Sequence, residues 1–146
     1  MTDFRQVSAG DVVDLRHRIL RAGLPRDSAV FEGDELSTTL HVGASIDGEM
    51  VTCLTLMLSK YEAQAAWQLR GMATDERWRN SGMGRSLVKY AIKLARLRQP
   101  EVTLFWCNAR VTAAGFYEKV GWRVVSPPFD VPTVGPHVKM MFRATD

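Results

Sequence analysis

Leu40, Val42, Ala44 and Ile46 alternate with polar or small residues, Asp47-Gly48 follows, and Val51 to Leu58 returns as a second apolar run. Alternation at period two builds a strand with one buried face, and Asp-Gly forms a turn whose twist suits an antiparallel pair. A hairpin over 40–58 therefore restricts the chain more than any other feature, because its apolar face has to be covered from elsewhere. Trp67 to Thr74 supplies a third strand, Asp75 to Gly84 is polar and glycine-containing, and Leu87, Val88, Ala91, Leu94 and Ala95 mark one face of a long helix. That helix is the natural cover.

The flanking segments extend the same pattern. Ser8 and Asp11 have the form of a capping box, and Val12, Leu15 and Ile19 recur at helical spacing, which predicts a first helix from Ala9 to Leu20, stopped by Gly23 and Pro25. Arg26 to Ser37, with Asp27, Glu32, Asp34 and Glu35, reads as a loop or an irregular short helix. Val102 to Cys107 is a strand, Thr112 to Val120 a short helix closed by Gly121, and Trp122 to Val125 another strand. Pro127, Pro128, Pro132 and Pro136 stiffen a loop before a last strand, Val138 to Phe142, and a frayed tail. The order helix, hairpin, strand, helix, strand, helix, strand, strand predicts an α/β (α+β) fold with one mixed, largely antiparallel sheet of about six to seven strands and helices on its faces. At 146 residues, with no internal repeat or linker, a single domain over 1–146 is expected.

Composition excludes several function classes. Hydrophobic residues make up 46% and charged residues 24%, far from the signature of disorder. The net charge of +3 is spread along the chain, so nucleic acid is not demanded as a partner, and a local anion site explains the excess equally well. Cys53 and Cys107 lie inside apolar β-like runs, as buried free thiols do, which favours a reducing compartment. The first residues lack a signal-peptide pattern and no apolar run is long enough to cross a bilayer, so the expectation is a cytoplasmic protein without a membrane partner.

Between the third strand and the long helix stands Arg79-Asn80-Ser81-Gly82-Met83-Gly84, of the form R-x-x-G-x-G. Two glycines let the backbone approach a ligand, and the helix that follows offers unpaired N–H groups at the positive end of its dipole, an arrangement that suits a pyrophosphate. The spacing arises by chance in on the order of one chain in thirty, so its weight comes from the strand, loop and helix around it. Arg85, Lys89, Lys93 and Arg96 add charge along the helix; for the last three a solvated face competes with phosphate binding.

The segment Leu69 to Leu87 (LRGMATDERWRNSGMGRSL) resembles motif A of the GNAT superfamily of N-acetyltransferases. Phe105 to Trp122 (FWCNARVTAAGFYEKVGW) is similar to that family's motif B, with Asn-Ala-Arg before a short helix that carries Phe-Tyr-Glu-Lys and ends at a glycine-aromatic pair. With the hairpin and first helix the resemblance spans nearly the whole chain, and Phe129 to Met140, with Gly135-Pro136-His137, resembles a bacterial subgroup whose members mostly lack an assigned substrate. The resemblance implies the acyl-CoA N-acyltransferase fold and an acetyltransferase that uses acetyl-CoA or coenzyme A as co-substrate, with no metal. It further implies that Met72, Ala73 and Thr74 pair through their backbones with the pantetheine arm. Arg79, Asn80, Ser81, Gly82, Met83, Gly84 and Arg85 would hold the pyrophosphate, and Asn108 and Tyr117 would flank the thioester. From the residues alone, Tyr117 reads equally as a half-buried core tyrosine.

Acetyl transfer needs a neutral amine, a donor for charge on the carbonyl oxygen and a proton for the departing thiolate. Tyr117 is the candidate for the last, and a strand N–H near Met72 to Thr74 for the second. Cys107 as an acyl-accepting nucleophile lacks an adjacent His, which leaves it a core thiol. The base is open. A lysine amine is neutral in only about one molecule in 2,500 at pH 7, an α-amine in roughly one in six, so the need for a base depends on the acceptor. Some members of the family use a strand carboxylate, but Gln68 and Arg70 stand in this strand; His41 in the hairpin and His137 in the proline-rich segment are the substitutes, each with a structural reading beside it, and His17 ranks lower. Arg16 projects inward from the first helix, either passing the core or facing an anionic acceptor. The expected partner is a small-molecule or peptide amine, with a homodimer compatible. The alternatives are a catalytically silent acyl-CoA-binding regulatory domain and, least supported, a nucleic-acid-binding domain.

Overall fold

The computed structural model describes residues 1–145. Three helices pack on an eight-stranded sheet. Strand β1 covers Thr2–Val7, α1 Val13–Leu20, β2 Leu40–Ile46, β3 Glu49–Tyr61, β4 Gln64–Thr74, α2 Met83–Arg98, β5 Leu104–Arg110, α3 Ala114–Lys119, β6 Arg123–Val124, β7 Phe129–Val131 and β8 Gly135–Arg143. The strand order is β1-β2-β3-β4-β5-β8-β6, with β7 paired to β8. Every pairing is antiparallel except β4 with β5, the two strands that α2 connects; a parallel pair needs such a crossover, and here the crossover is the predicted cover.

Parity along the strands assigns the faces. Leu40, Val42, Ala44, Leu54, Leu56, Trp67 and Leu69 bury against Leu87, Val88, Ala91 and Ala95 of α2. On the other face Cys53 and Ala73 meet Val12 and Leu15 at the start of α1. The predicted capping box forms reciprocally: the Asp11 N–H donates to Ser8 Oγ at 3.2 Å and the Ser8 N–H to Asp11 Oδ2 at 3.0 Å. A 3-10 turn over Gly10–Val12 then opens into α1.

The sheet is wider than the sequence predicts, by two edge elements. β1 is exposed at most positions and so lacks the alternation that marks a buried strand; its register, Thr2 with Ile46 through Val7 with His41, comes from the edge that β2 offers. β7 has three residues inside the proline-rich stretch and exists through its pairing with β8. The tail also differs from expectation, because Ala144 is buried and its N–H donates to Thr103 O at 2.8 Å. No helix among the described residues is long and apolar enough to cross a membrane.

Candidate functional site

The parallel pairing of β4 with β5 is confined to Trp67 with Phe105 and Gln68 with Trp106. Beyond it the strands part, and a cleft of about 380 Å³ opens between Gln68–Met72 on one side and Cys107–Arg110 on the other, floored by Tyr117 and walled by Leu20, Phe31, Val131 and His137. The divergence coincides with a register shift in β4 opposite Cys53 and Thr55. Gly71 sits there with φ 61°, in the left-handed region that disfavours a side chain, and a Cβ on it would lie 2.6 Å from Arg16 Nε and 2.9 Å from Phe31 Cε2. The glycine of the motif A strand is therefore required by both conformation and space.

A second cleft, about 630 Å³, lies at the N-terminus of α2 and is lined by Thr74, Trp78, Arg79, Asn80, Gly82, Gly84, Arg85, Thr112, Gly115, Phe116 and Lys119. Gly82 is the N-cap at φ 87°, with no side-chain cap and no acidic residue in the first turn, so the helix end presents backbone donors with nothing negative beside them. Arg79, Arg85 and Lys119 add three cations, and among the described residues no carboxylate lines the cleft. Gly84 stands where a Cβ would meet Met72 Cε at 3.1 Å and Phe116 Cε1 at 3.3 Å. A cradle of donors and cations of this kind fits a pyrophosphate. Thr112 and Lys119 were not found from the sequence; Lys119 belongs to the Phe-Tyr-Glu-Lys block of α3, and only the fold brings that helix to the end of α2. Ser81 and Met83 do not line the cleft: Ser81 Oγ turns back to Trp78 O, closing the loop. Lys89 and Lys93 are exposed on α2 and line neither cleft.

The two clefts meet at Met72 and α3, where Phe116 lines one and Tyr117 the other. Tyr117 is buried, edge-on to Phe116 and tilted against Trp122. Its Oη donates to Met72 Sδ at 3.7 Å, a weak acceptor, so the phenol holds a proton that no strong partner has claimed. Burial, reinforced by the neighbouring Cys107, keeps that proton on, with the pKa well above the ordinary tyrosine value. Asn108 lines the first cleft with Oδ1 accepting from Lys139 Nζ at 2.9 Å. Thr74 lines the second, while the Ala73 side chain packs into the core beneath α1, leaving only its backbone for a ligand. Cys53 and Cys107 are buried, and desolvation pushes both thiols up to about 12, which removes Cys107 as a nucleophile.

The two candidate histidines separate. His137 lines the first cleft, and its Nδ1 lies 2.8 Å from Gly135 O. A carbonyl only accepts, so Nδ1 carries the hydrogen and Nε2 is left with its lone pair, the tautomer a base requires. His41 lies elsewhere, inside a closed polar ring beneath α1, and its proposed catalytic role is corrected by its bonds. Its Nε2–H donates to Asp34 O at 2.9 Å and its Nδ1 accepts from Thr55 Oγ1 at 2.8 Å. Thr55 Oγ1 accepts in turn from Arg16 Nη2 at 2.7 Å, and Arg16 grips the Asp34 carboxylate through both nitrogens. Both His41 nitrogens are thus consumed in orienting this pair. Arg16, fully buried, neither passes the core nor faces an acceptor; it cross-links α1 to the Asp34 loop and lies 4.0 Å over the Phe31 ring. His17 Nε2 is bound to Leu24 O, outside the clefts.

Removing one partner of the buried pair leaves the other charge stranded, a loss of about 3–5 kcal/mol. Asp34→Ala is accordingly expected to lower Tm by on the order of 10 °C in calorimetry, and Asp34→Asn by less, since its amide oxygen still accepts from Arg16. Burial alone would raise the Asp34 carboxyl, but the hydrogen bonds from Arg16 and the Phe31 N–H outweigh it and hold the group below the usual carboxylate range. Its stabilisation is present at neutral pH and lost as pH falls through that depressed value, so the wild-type advantage over Asp34→Ala is expected to vanish in acid. Equal melting temperatures at neutral pH would dismiss the pair as a structural element.

Residues 37–124 match the family model of the acetyltransferase (GNAT) domain. The chain is 32% identical over 143 residues to the uncharacterized N-acetyltransferase YitI of Bacillus subtilis (strain 168), covering 96% of this chain and 95% of that protein. Among solved structures it is similar to Escherichia coli ElaA, with a TM-score of 0.80 at 14% identity over 97% of this chain and 99% of that one. It is also similar to an aminoglycoside 6'-N-acetyltransferase in complex with coenzyme A, with a TM-score of 0.76 at 16% identity over 97% and 96%. At these identities the structural likenesses carry the fold alone.

Proposed function

Because the chain belongs to the GNAT family and is an acetyltransferase, we propose that it transfers the acetyl group of acetyl-CoA directly to a primary amine of a small molecule or peptide, with Tyr117 as general acid and His137 as base. The observation that carries this reading is the Tyr117 phenol, protonated by burial and paired only with a thioether, at the meeting point of the two clefts. Arg79, Arg85, Lys119 and the N–H groups at the start of α2 hold the pyrophosphate. The backbone of Met72 to Thr74, free of a β5 partner past Gln68, receives the pantetheine amides. The bound thioester supplies an activated acyl group. His137 Nε2 takes the proton that the attacking amine must lose, a β4 N–H near Met72 bears charge on the carbonyl oxygen, and Tyr117 Oη protonates the sulfur as it leaves.

A broad screen of amine acceptors for release of free CoA tests the reading; turnover with at least one amine and tight binding of CoA are expected. Binding without turnover across the screen would leave a silent acyl-CoA-binding domain. His137→Gln is expected to bind acetyl-CoA normally and to lose roughly 100-fold in kcat/KM near neutral pH, where most of the amine is protonated. The deficit should shrink as pH approaches the amine's own pKa, because a larger fraction then attacks unaided. A uniform deficit across pH would assign His137 to packing.

A further inference from the structure

The first cleft, which Tyr117 also lines, is cationic. Arg21, Arg70 and Arg110 all line it, and among the described residues no Asp or Glu does. Several surface arginines elsewhere do have carboxylate partners: Arg18 has Asp75 and Glu76, Arg26 has Asp14, and Arg77 has Glu49 and Asp75. Among the described residues none of the three cleft arginines forms an ion pair. Each is instead fixed by a backbone carbonyl. Arg21 Nη1 and Arg110 Nη2 donate to the same oxygen, that of Leu20, at 3.1 and 3.3 Å, and Arg70 Nη1 donates to Glu32 O at 2.8 Å. Arg21 and Arg70 also stand 5.3 and 5.2 Å from the Phe31 ring, whose position Arg16 fixes from behind. Asp34 and Glu32 act on Arg70 without forming an ion pair with it, and Asp34 is already engaged by Arg16.

Two guanidinium groups on one carbonyl oxygen repel each other. Burial, and then the charges of Arg110 and Arg16, hold the Arg21 pKa below its ordinary value. Such an arrangement suits a planar anion that accepts from both forks and offsets the repulsion. His137 faces Arg110 across the β5–β8 ladder, so the anion site and the proposed base belong to one wall. A polycationic acceptor would instead meet three like charges.

Resting on the acetyltransferase reading, we propose that the amine acceptor carries a carboxylate, held by Arg21 and Arg110 with Arg70 beside them, so that the substrate is a small amino-acid-like molecule. The guanidinium fork matches the two coplanar oxygens of a carboxylate, while the reacting amine extends toward His137 and Tyr117.

The test uses matched probes on CoA-saturated protein by calorimetry, and on acetyl-CoA turnover by CoA release. Alanine, leucine, phenylalanine, β-alanine and γ-aminobutyrate are each compared with their carboxamide, and spermidine and phosphoethanolamine serve as the polycationic and phosphate arms. At least one carboxylate is expected to exceed its carboxamide by roughly 10- to 100-fold in apparent affinity and kcat/KM. Arg110→Gln and Arg21→Gln should each erase most of that preference, read as the ratio of acid to carboxamide in kcat/KM, with affinity for CoA unchanged. Equal use of acid and amide, preference for spermidine or phosphoethanolamine, or failure of every carboxylate to bind while CoA binds would each overturn the proposal. Failure of CoA itself to bind would instead sink the acetyltransferase site described above.

Discussion

Gly84→Val is expected to weaken acetyl-CoA and CoA binding by at least about 100-fold in calorimetry while the protein still melts cooperatively. A Cβ at this position already presses on Met72 Cε and Phe116 Cε1, and valine adds two methyl groups beyond it. The Met72 tip is flexible and can yield by tenths of an ångström, which limits the overpacking cost to about 1–3 kcal/mol and spares the fold. What it cannot do is yield without entering space that the ligand needs, since Met72 and Phe116 stand where the two clefts meet. The new methyls also crowd the helix-end donors that a phosphate would approach. Unchanged affinity in a folded Gly84→Val protein would remove the basis for placing the pyrophosphate here.

For Tyr117→Phe the expected result is normal acetyl-CoA affinity with kcat lower by roughly 10- to 1,000-fold. The ring contacts with Phe116 and Trp122, at centroid distances of 5.1 and 5.4 Å, survive the substitution, and the lost hydrogen bond is one to a thioether. Stability should therefore change little. Because burial holds the phenol protonated far above its ordinary pKa, the wild-type rate should show no loss from Tyr117 ionisation up to about pH 9. The variant's deficit should narrow over the same range, because a CoA thiolate with a pKa near 8.5 leaves increasingly well without help. Full kcat retained from about pH 6 to about pH 9 would return Tyr117 to a packing role.

The parts of this site that the sequence discloses are those whose chemistry is local. Arg79, Gly82 and Gly84 are neighbours in the chain and open a helix, so their spacing within a strand, loop and helix points to a phosphate loop, and the hairpin over 40–58 announces itself by period. The Arg21–Arg110 pair could not be read that way. Arg21 follows a helix, Arg110 ends a strand, and each in isolation looks solvated; only the tertiary fold brings them to one carbonyl. The same holds for Arg16 and Asp34. Helical projection shows that Arg16 points inward, but its partner lies in an irregular loop with no periodicity to betray which acid turns in. His41 misleads for a related reason: an alternating position in a strand says that a side chain is buried, and burial alone does not distinguish a base from a structural hydrogen-bonding group.

The opening between β4 and β5 is made by the main chain, where two residue pairs are joined and the rest diverge, and not by small side chains around a hole. In terms of descent this matters. A hole kept open by small residues is closed by the first large replacement, whereas a gap in a sheet persists while Leu20, Val131, Val134 and even the arginines drift in size and charge. On the proposed reading, replacements at Gly71 and Gly84 would be the costly ones, because these glycines keep the gap and the helix-end cleft open, while replacements along the first cleft would leave both open.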